Sequence, residues 1–341
     1  MAKQTVFPRW RGFNLLGMFA SETSDYRDFR SPGYYVEEDF KMIADWGFDF
    51  VRLPLSYRVW SDASDPYTIR EEQLAPLDEA VSLGEKYNLH VNIAMHRLPG
   101  YCVNTDEHPE ETGRLWQGGE ALDAAVYQWT EIAKRYAGIR SDRLSFNVIN
   151  EPNRQISPAE YRSVCQGVID GVRKITPDRL FILDGVNYGD TPPVYAMRHF
   201  ENCGYSCRGY EPRRLTHYDG TPGCEIPIWP DSRKFDGDGE RTVCDRREME
   251  EFFGIWAALS EAMQVGVHCG EMGVHYACPH DVACRWLTDV LAILKSYNIG
   301  FALWNLRGKF GIMDNGRTDV ELKSFHGHTL DEKMLKILQK Y

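Results

Sequence analysis

No uninterrupted apolar run in the 341 residues approaches the roughly 20 that a membrane-spanning helix needs. Positive charge is short as well. Lys and Arg total 39 against 50 Asp and Glu, a net charge of −11. That balance excludes the basic footprint by which phosphate backbones and anionic membranes are gripped, so neither nucleic acid nor membrane is an expected partner. Met1–Trp10 lacks the apolar core of a secretory leader. The nine cysteines are odd in number, in a chain long enough to fold without staples. These features together set the expectation of a cytoplasmic protein with reduced thiols. Low-complexity tracts and short repeats are missing too. What is present is ordinary: 43% apolar and 26% charged residues, the make-up of a folded globular chain rather than a disordered one.

A pattern does recur. Short apolar runs at Gly12–Gly17, Phe48–Leu53, His90–Met95, Leu144–Ile149, Leu180–Asp184, weakly near Tyr205, Val265–Cys269 and Ile299–Trp304 each precede a longer amphipathic stretch. The helix-period stretches are Val36–Trp46, Leu74–Tyr87, Leu122–Tyr136, Pro158–Ile175, Thr191–Phe200, Arg247–Met263, Asp281–Tyr297 and Leu330–Gln339. Ser157-Pro158 reads as an N-cap followed by proline at the first helical position. Continuous rather than alternating apolar strands imply burial on both faces. Eight such units predict an α/β fold, a (β/α)8 TIM barrel forming a single catalytic domain over residues 1–341. The rival, a doubly wound dinucleotide-binding sheet, loses support because no G-x-G-x-x-G follows any expected strand. Two connections, Pro99–Glu120 after strand three and Arg208–Asp245 after strand six, are too long for plain linkers and leave the C-terminal rim where barrels build their sites.

Polar residues gather at that rim. Strand two carries Arg52, strand three ends at His96, strand four at Asn150-Glu151-Pro152, strand seven at Glu271 and strand eight at Trp304. Each alone is commonplace: a solvated Glu before Pro, a core His, a packing Trp. Their joint placement on one face is not. Two carboxylates on facing strands are the minimal equipment for cleaving a glycosidic bond, one protonated to donate to the leaving oxygen and one ionised to attack or to activate water. Arg52 near the second would favour its charged form. Asn150 offers an amide to a sugar hydroxyl, and Trp304 a flat apolar face on which a pyranose can stack.

Gly12-Phe13-Asn14-Leu15, Arg52-Leu53-Pro54, His96 with Pro99-Gly100, Asn150-Glu151-Pro152, Gly270-Glu271-Met272-Gly273 and Trp304-Asn305 occur in this order. With these motifs the chain resembles glycoside hydrolase family 5, the retaining β-glycosidases that include cellulases and mannanases, from Trp10 to Leu338. The resemblance implies Glu151 as acid/base and Glu271 as nucleophile, with Arg52, His96, Asn150 and Trp304 around the sugar. It further implies a double displacement with carboxylates roughly 5–5.5 Å apart. One departure stands out. The family usually carries His-x-Tyr after strand six, and this chain has Arg208-Gly209-Tyr210-Glu211-Pro212 and then Thr216-His217. Either Arg208 re-tunes Glu271 and the sugar subsite beside Tyr210 and His217, or His217-Tyr218 serves in its place. Lacking an export signal, the chain is expected to act on short β-1,4-linked gluco- or manno-oligosaccharides, leaning to exo action as a β-mannosidase or oligoglucan hydrolase. An endo-β-1,4-glucanase or endo-mannanase is the alternative, and a sugar-binding barrel without catalysis is the rival of another class.

Some residues admit two roles. Arg307, Lys309 and Arg317 after strand eight are either a solvated basic loop or a reach toward the sugar. Trp116, Trp229 and Tyr218 in the long loops are either sugar platforms or loop anchors. Cys203-x3-Cys207 has a zinc-like spacing, yet Cys224 and Cys244 supply no second close pair. Buried free thiols are the simpler expectation, and neither cofactor nor metal is expected.

Overall fold

The computed structural model describes residues 7–19, 35–104, 109–111, 113–153, 156–197, 199–231 and 245–341. Eight parallel strands close on themselves: β1 (Arg11–Asn14), β2 (Phe50–Ser56), β3 (His90–Leu98), β5 (Leu144–Asn147), β6 (Leu180–Asp184), β7 (Cys203–Gly209), β8 (Val267–Met272) and β9 (Gly300–Leu303), with β9 paired back to β1. A two-residue strand, β4 (Tyr101–Cys102), turns back antiparallel onto the end of β3. The expected (β/α)8 barrel is therefore what forms. Every residue of β2, β3, β7 and β8 is buried, which is why their apolar residues do not alternate with polar ones as in a half-exposed strand. At Gly12 the neighbouring backbone comes so close that a Cβ would meet the Phe50 carbonyl, so only glycine closes the β1–β2 seam.

Helices α1 (Glu37–Asp45), α2 (Ala75–Lys86), α3 (Gly119–Arg135), α4 (Pro158–Arg173), α6 (Arg246–Met263), α7 (His280–Ser296) and α8 (Glu332–Lys340) pack outside, close to their expected spans. The Ser157 cap is a full capping box: its hydroxyl accepts from the Glu160 amide while the Glu160 carboxylate accepts from the Ser157 amide. Two features depart from expectation. Thr191–Phe200 is not a helix; its described residues form turns. Pro192-Pro193 biases Thr191 and Pro192 away from helical geometry, which removes the start of the expected span. One turn closes on the Pro193 carbonyl through the amides of Ala196 and Met197, and another joins the His199 amide to the Ala196 carbonyl. Leu330 ends a small hairpin, β10 (Lys323–Phe325) with β11 (His328–Leu330), rather than opening the last helix, whose cap is Asp331. A short α5 (Arg213–Thr216) follows β7.

Candidate active site

Parallel barrel strands deliver their last side chains to one rim, and here they deliver charge. Arg52 lies within β2 with its side chain buried, and its fork is fully engaged. Nη1 donates to Glu271 Oε1 at 2.5 Å and to Asn14 Oδ1 at 3.0 Å; Nη2 donates to Asn150 Oδ1 at 2.9 Å and Asn147 Oδ1 at 3.1 Å. Glu271 sits in β8 opposite Arg208 of β7, the two being register partners across a bulge. Tyr210 donates its hydroxyl to Glu271 Oε2 at 3.2 Å. The Glu271 carboxylate is thus clasped by two guanidiniums and a phenol.

Arg208 is in register, so the alternative in which His217-Tyr218 replaces the motif does not hold. Its side chain is 0% exposed. All five N–H groups are spent inside the protein. Nε donates to Glu151 Oε1 at 2.9 Å, Nη1 to Ser206 Oγ at 3.0 Å and the Cys207 carbonyl at 3.3 Å, and Nη2 to Asn150 Oδ1 at 2.7 Å and to Asp184 Oδ2. Nη2 also stands 3.3 Å from Glu271 Oε1. One guanidinium therefore bridges the two glutamates and keeps no donor for a sugar.

Glu151 follows β5 and takes a left-handed backbone, φ 48°, uncommon for a residue with a side chain. Two contacts hold it there: its amide donates to Asp184 Oδ2 at 2.8 Å, and its carbonyl accepts from the Tyr101 hydroxyl at 2.6 Å. Tyr101 comes from the long connection after strand three and packs edge-on against Trp116. Burial, then the nearby Glu271 charge, pushes the Glu151 carboxyl up to about 7, against the downward pull of Arg208. The Glu151 carboxyl is thus held toward its protonated form, and the paired Glu271 faces cations.

His96 accepts on Nε2 from the Asn150 amide at 3.0 Å, which leaves the ring proton on Nδ1. Burial and the neighbouring Arg52 hold the imidazole neutral, its pKa well below the usual value. Trp304 stacks on His96 with ring centroids 5.5 Å apart and meets the edge of Phe19. With Tyr210 and Phe19 it makes a small apolar wall. The structure brings together Arg52, His96, Asn150, Glu151, Arg208, Tyr210, Glu271 and Trp304. His217 stands one layer behind, edge-on to Tyr210 at 5.0 Å and to Phe310 at 5.4 Å.

Four other candidates, Arg307, Arg317, Trp116 and Trp229, are structural. Buried Arg307 pairs with Asp39 and Asp314, and Arg317 donates to the Cys278 carbonyl at 2.7 Å. Trp116 is buried, and so is Trp229, whose indole donates to Asp289 at 2.9 Å; both anchor their loops. Cys203 and Cys207 are buried free thiols of β7, Cys224 is free and exposed, and Cys244 lies outside the described residues. Among the described residues no three His, Cys, Asp or Glu side chains stand together as metal ligands. Sequence reading missed Asn14, Asn147, Tyr101 and Asp184. Asp184 had a signal: it closes an apolar strand at the same rim level as the other site residues.

A cellulase family model, glycosyl hydrolase family 5, matches residues 7–310. The chain belongs to that family. A family 5 relative, Cellodextrinase A of Ruminococcus flavefaciens, is 28% identical over 85% of this chain and 83% of its own length. Endoglucanase C of Acetivibrio thermocellus is 22% identical over 96% and 97%. A solved glycoside hydrolase superposes with TM-score 0.86 at 31% identity, covering 97% of this chain and 99% of the other. Thermotoga maritima Cel5A, solved with mannotriose, shares the fold at TM-score 0.74 and 21% identity, covering 97% of each chain. As a family 5 member this chain is an O-glycosyl hydrolase of cellulase type whose substrate is carbohydrate.

Proposed function

We propose that the protein is a retaining β-glycosidase acting on short β-1,4-linked gluco-oligosaccharides, with Glu151 as acid/base and Glu271 as nucleophile. The observation that carries this is the single Arg208 guanidinium touching both carboxylates, with burial keeping Glu151 protonated while Arg52 and Tyr210 bind Glu271. Oε1 of Glu271 is held by Arg52, which leaves Oε2, beside Tyr210, to attack the anomeric carbon. Glu151 gives its proton to the departing glycosidic oxygen, and a glycosyl ester forms on Glu271. Glu151, now ionised, takes a proton from water as that water attacks the same carbon and frees Glu271. Trp304 supplies the stacking face and Asn150 its remaining amide N–H to the sugar. The cellodextrinase name of a relative that matches over most of both chains supports short β-glucans, and the endoglucanase names of others support β-1,4-glucan chains.

The mechanism is tested with a slow 2-fluoro glycoside: mass spectrometry should find the sugar on the peptide bearing Glu271, and an unlabelled protein after full inactivation would refute it. Chain length is tested on end-labelled cellohexaose beside mannohexaose. Release of units from one end supports the exo lean. Early mid-length fragments would make the enzyme an endoglucanase, and preference for the manno-series would overturn the gluco assignment.

A further inference from the structure

Counting the buried charges around Glu151 exposes an imbalance. Two guanidiniums, Arg52 on β2 and Arg208 on β7, stand among three carboxyl groups: Glu151 after β5, Glu271 on β8 and Asp184 at the end of β6. Arg97 on β3, a further buried cation beside His96, donates to the Phe19 carbonyl at 2.7 Å. Three other titratable groups facing the acid among the described residues are neutral. His96 on β3 is held unprotonated, and Tyr210 after β7 and Tyr101 on β4 are held protonated, by burial first and by neighbouring charge second. Tyr188 adds its backbone amide, bonded to the Pro152 carbonyl. A buried cluster of two cations and three carboxyls reaches neutrality with one proton, and burial penalises net charge.

Asp184 is the third carboxyl. Its side chain is 0% exposed. It accepts from the Arg208 guanidinium, from the Glu151 amide at 2.8 Å and from the Asn147 side chain at 3.0 Å, while its own carbonyl is fixed by the Tyr161 hydroxyl at 2.7 Å. It touches no group placed to react, yet it holds both the backbone of the acid and the cation that bridges the glutamates.

We propose that Asp184 is a positioning residue that, paired with Arg208, sets the proton count of the site so that Glu151 carries the one proton. The pair rests on the assignment of Glu151 as the acid. A guanidinium carries a permanent charge and, with its side chain fully buried, needs a carboxylate partner. Without Asp184, two cations would balance two ionised glutamates, and the acid would lose its proton at neutral pH.

The test is the pH profile of kcat/KM on cellotetraose for the wild type, D184N, R208Q, the double variant D184N/R208Q and E151Q. Activity falls as pH rises through the pKa of the acid. Removing the Asp184 charge should move that basic limb down by about one pH unit, and removing the Arg208 charge should move it up by a similar amount. The double variant has one cation among two carboxyls and needs one proton again, so its limb should return toward the wild-type position. A purely structural role predicts lower rates with an unmoved limb, and that result for D184N would overturn the proposal. If D184N alone does not fold, because its amide faces the donors of Asn147 and Arg208, the double variant against R208Q decides: limbs at the same pH overturn the proposal. E151Q should lose the basic limb altogether. A persisting limb there would sink the acid assignment, and the proposal with it, whereas an unmoved D184N limb leaves the acid assignment standing.

Discussion

The raised carboxyl of Glu151 has a cost in stability that can be measured without any substrate. In the unfolded chain a glutamate titrates near 4.5; in the folded site Glu151 titrates near 7. The folded state therefore holds this proton more tightly, so its contribution to stability is complete below pH 4.5 and is lost as pH climbs through 7. At about 1.4 kcal/mol per pH unit, the gap corresponds to about 3 kcal/mol. Glu151→Gln keeps an acceptor for the Arg208 Nε–H and removes the charge that the wild type must bury at high pH. The variant should gain about 3 kcal/mol on the wild type between pH 4.5 and pH 8.5. At about 2.1 cal/mol/K of unfolding entropy per residue, a chain of 341 residues melts about 4 °C higher for that gain. Thermal melts of both proteins at the two pH values read the difference directly. An equal offset between wild type and variant at pH 4.5 and pH 8.5 would refute the claim that burial and Glu271 hold the proton on Glu151.

Arg52→Lys keeps the charge but loses the fork, leaving the Asn147 acceptor bare and Asn150 with Arg208 as its one remaining guanidinium donor; urea titration should show a loss of about 2 kcal/mol, and kcat should fall far more than KM rises. Trp304→Ala should raise KM for oligosaccharides at least tenfold in steady-state kinetics, because the stacking face is gone, with little change in the position of the basic pH limb. Ser157→Ala removes half of the exposed capping box that opens α4 and should cost about 1 kcal/mol in chemical denaturation with little change in kcat.

Much of this molecule is legible in its residues because strands buried on both faces are mostly apolar, so charged residues toward their C-terminal ends stand out. Arg52, His96, Glu151 and Glu271 were visible on that ground. Asp184 was not singled out, because an aspartate closing a strand looks like a loop residue until Arg208 and the Glu151 amide are seen to meet on it. Tyr101 was hidden for a different reason: its role is a hydrogen bond to a backbone carbonyl about fifty residues away, which no local pattern records. Thr191–Phe200 has the apolar spacing of a helix, but its described residues form turns, and Pro192-Pro193 accounts for the loss of helical geometry at its start. Strand β7 looked weak because Gly204 and Ser206 interrupt its apolar run, yet all seven of its residues are buried.

The phenol of Tyr101 joins the acid to the hairpin that follows β3. Whoever wishes to reshape the mouth of this enzyme, by grafting a longer or shorter lip from a cousin, inherits a boundary from that bond. Splicing on the far side of Cys102 should spare the chemistry, whereas a graft that begins at Pro99 cuts the tether and lets Glu151 drift.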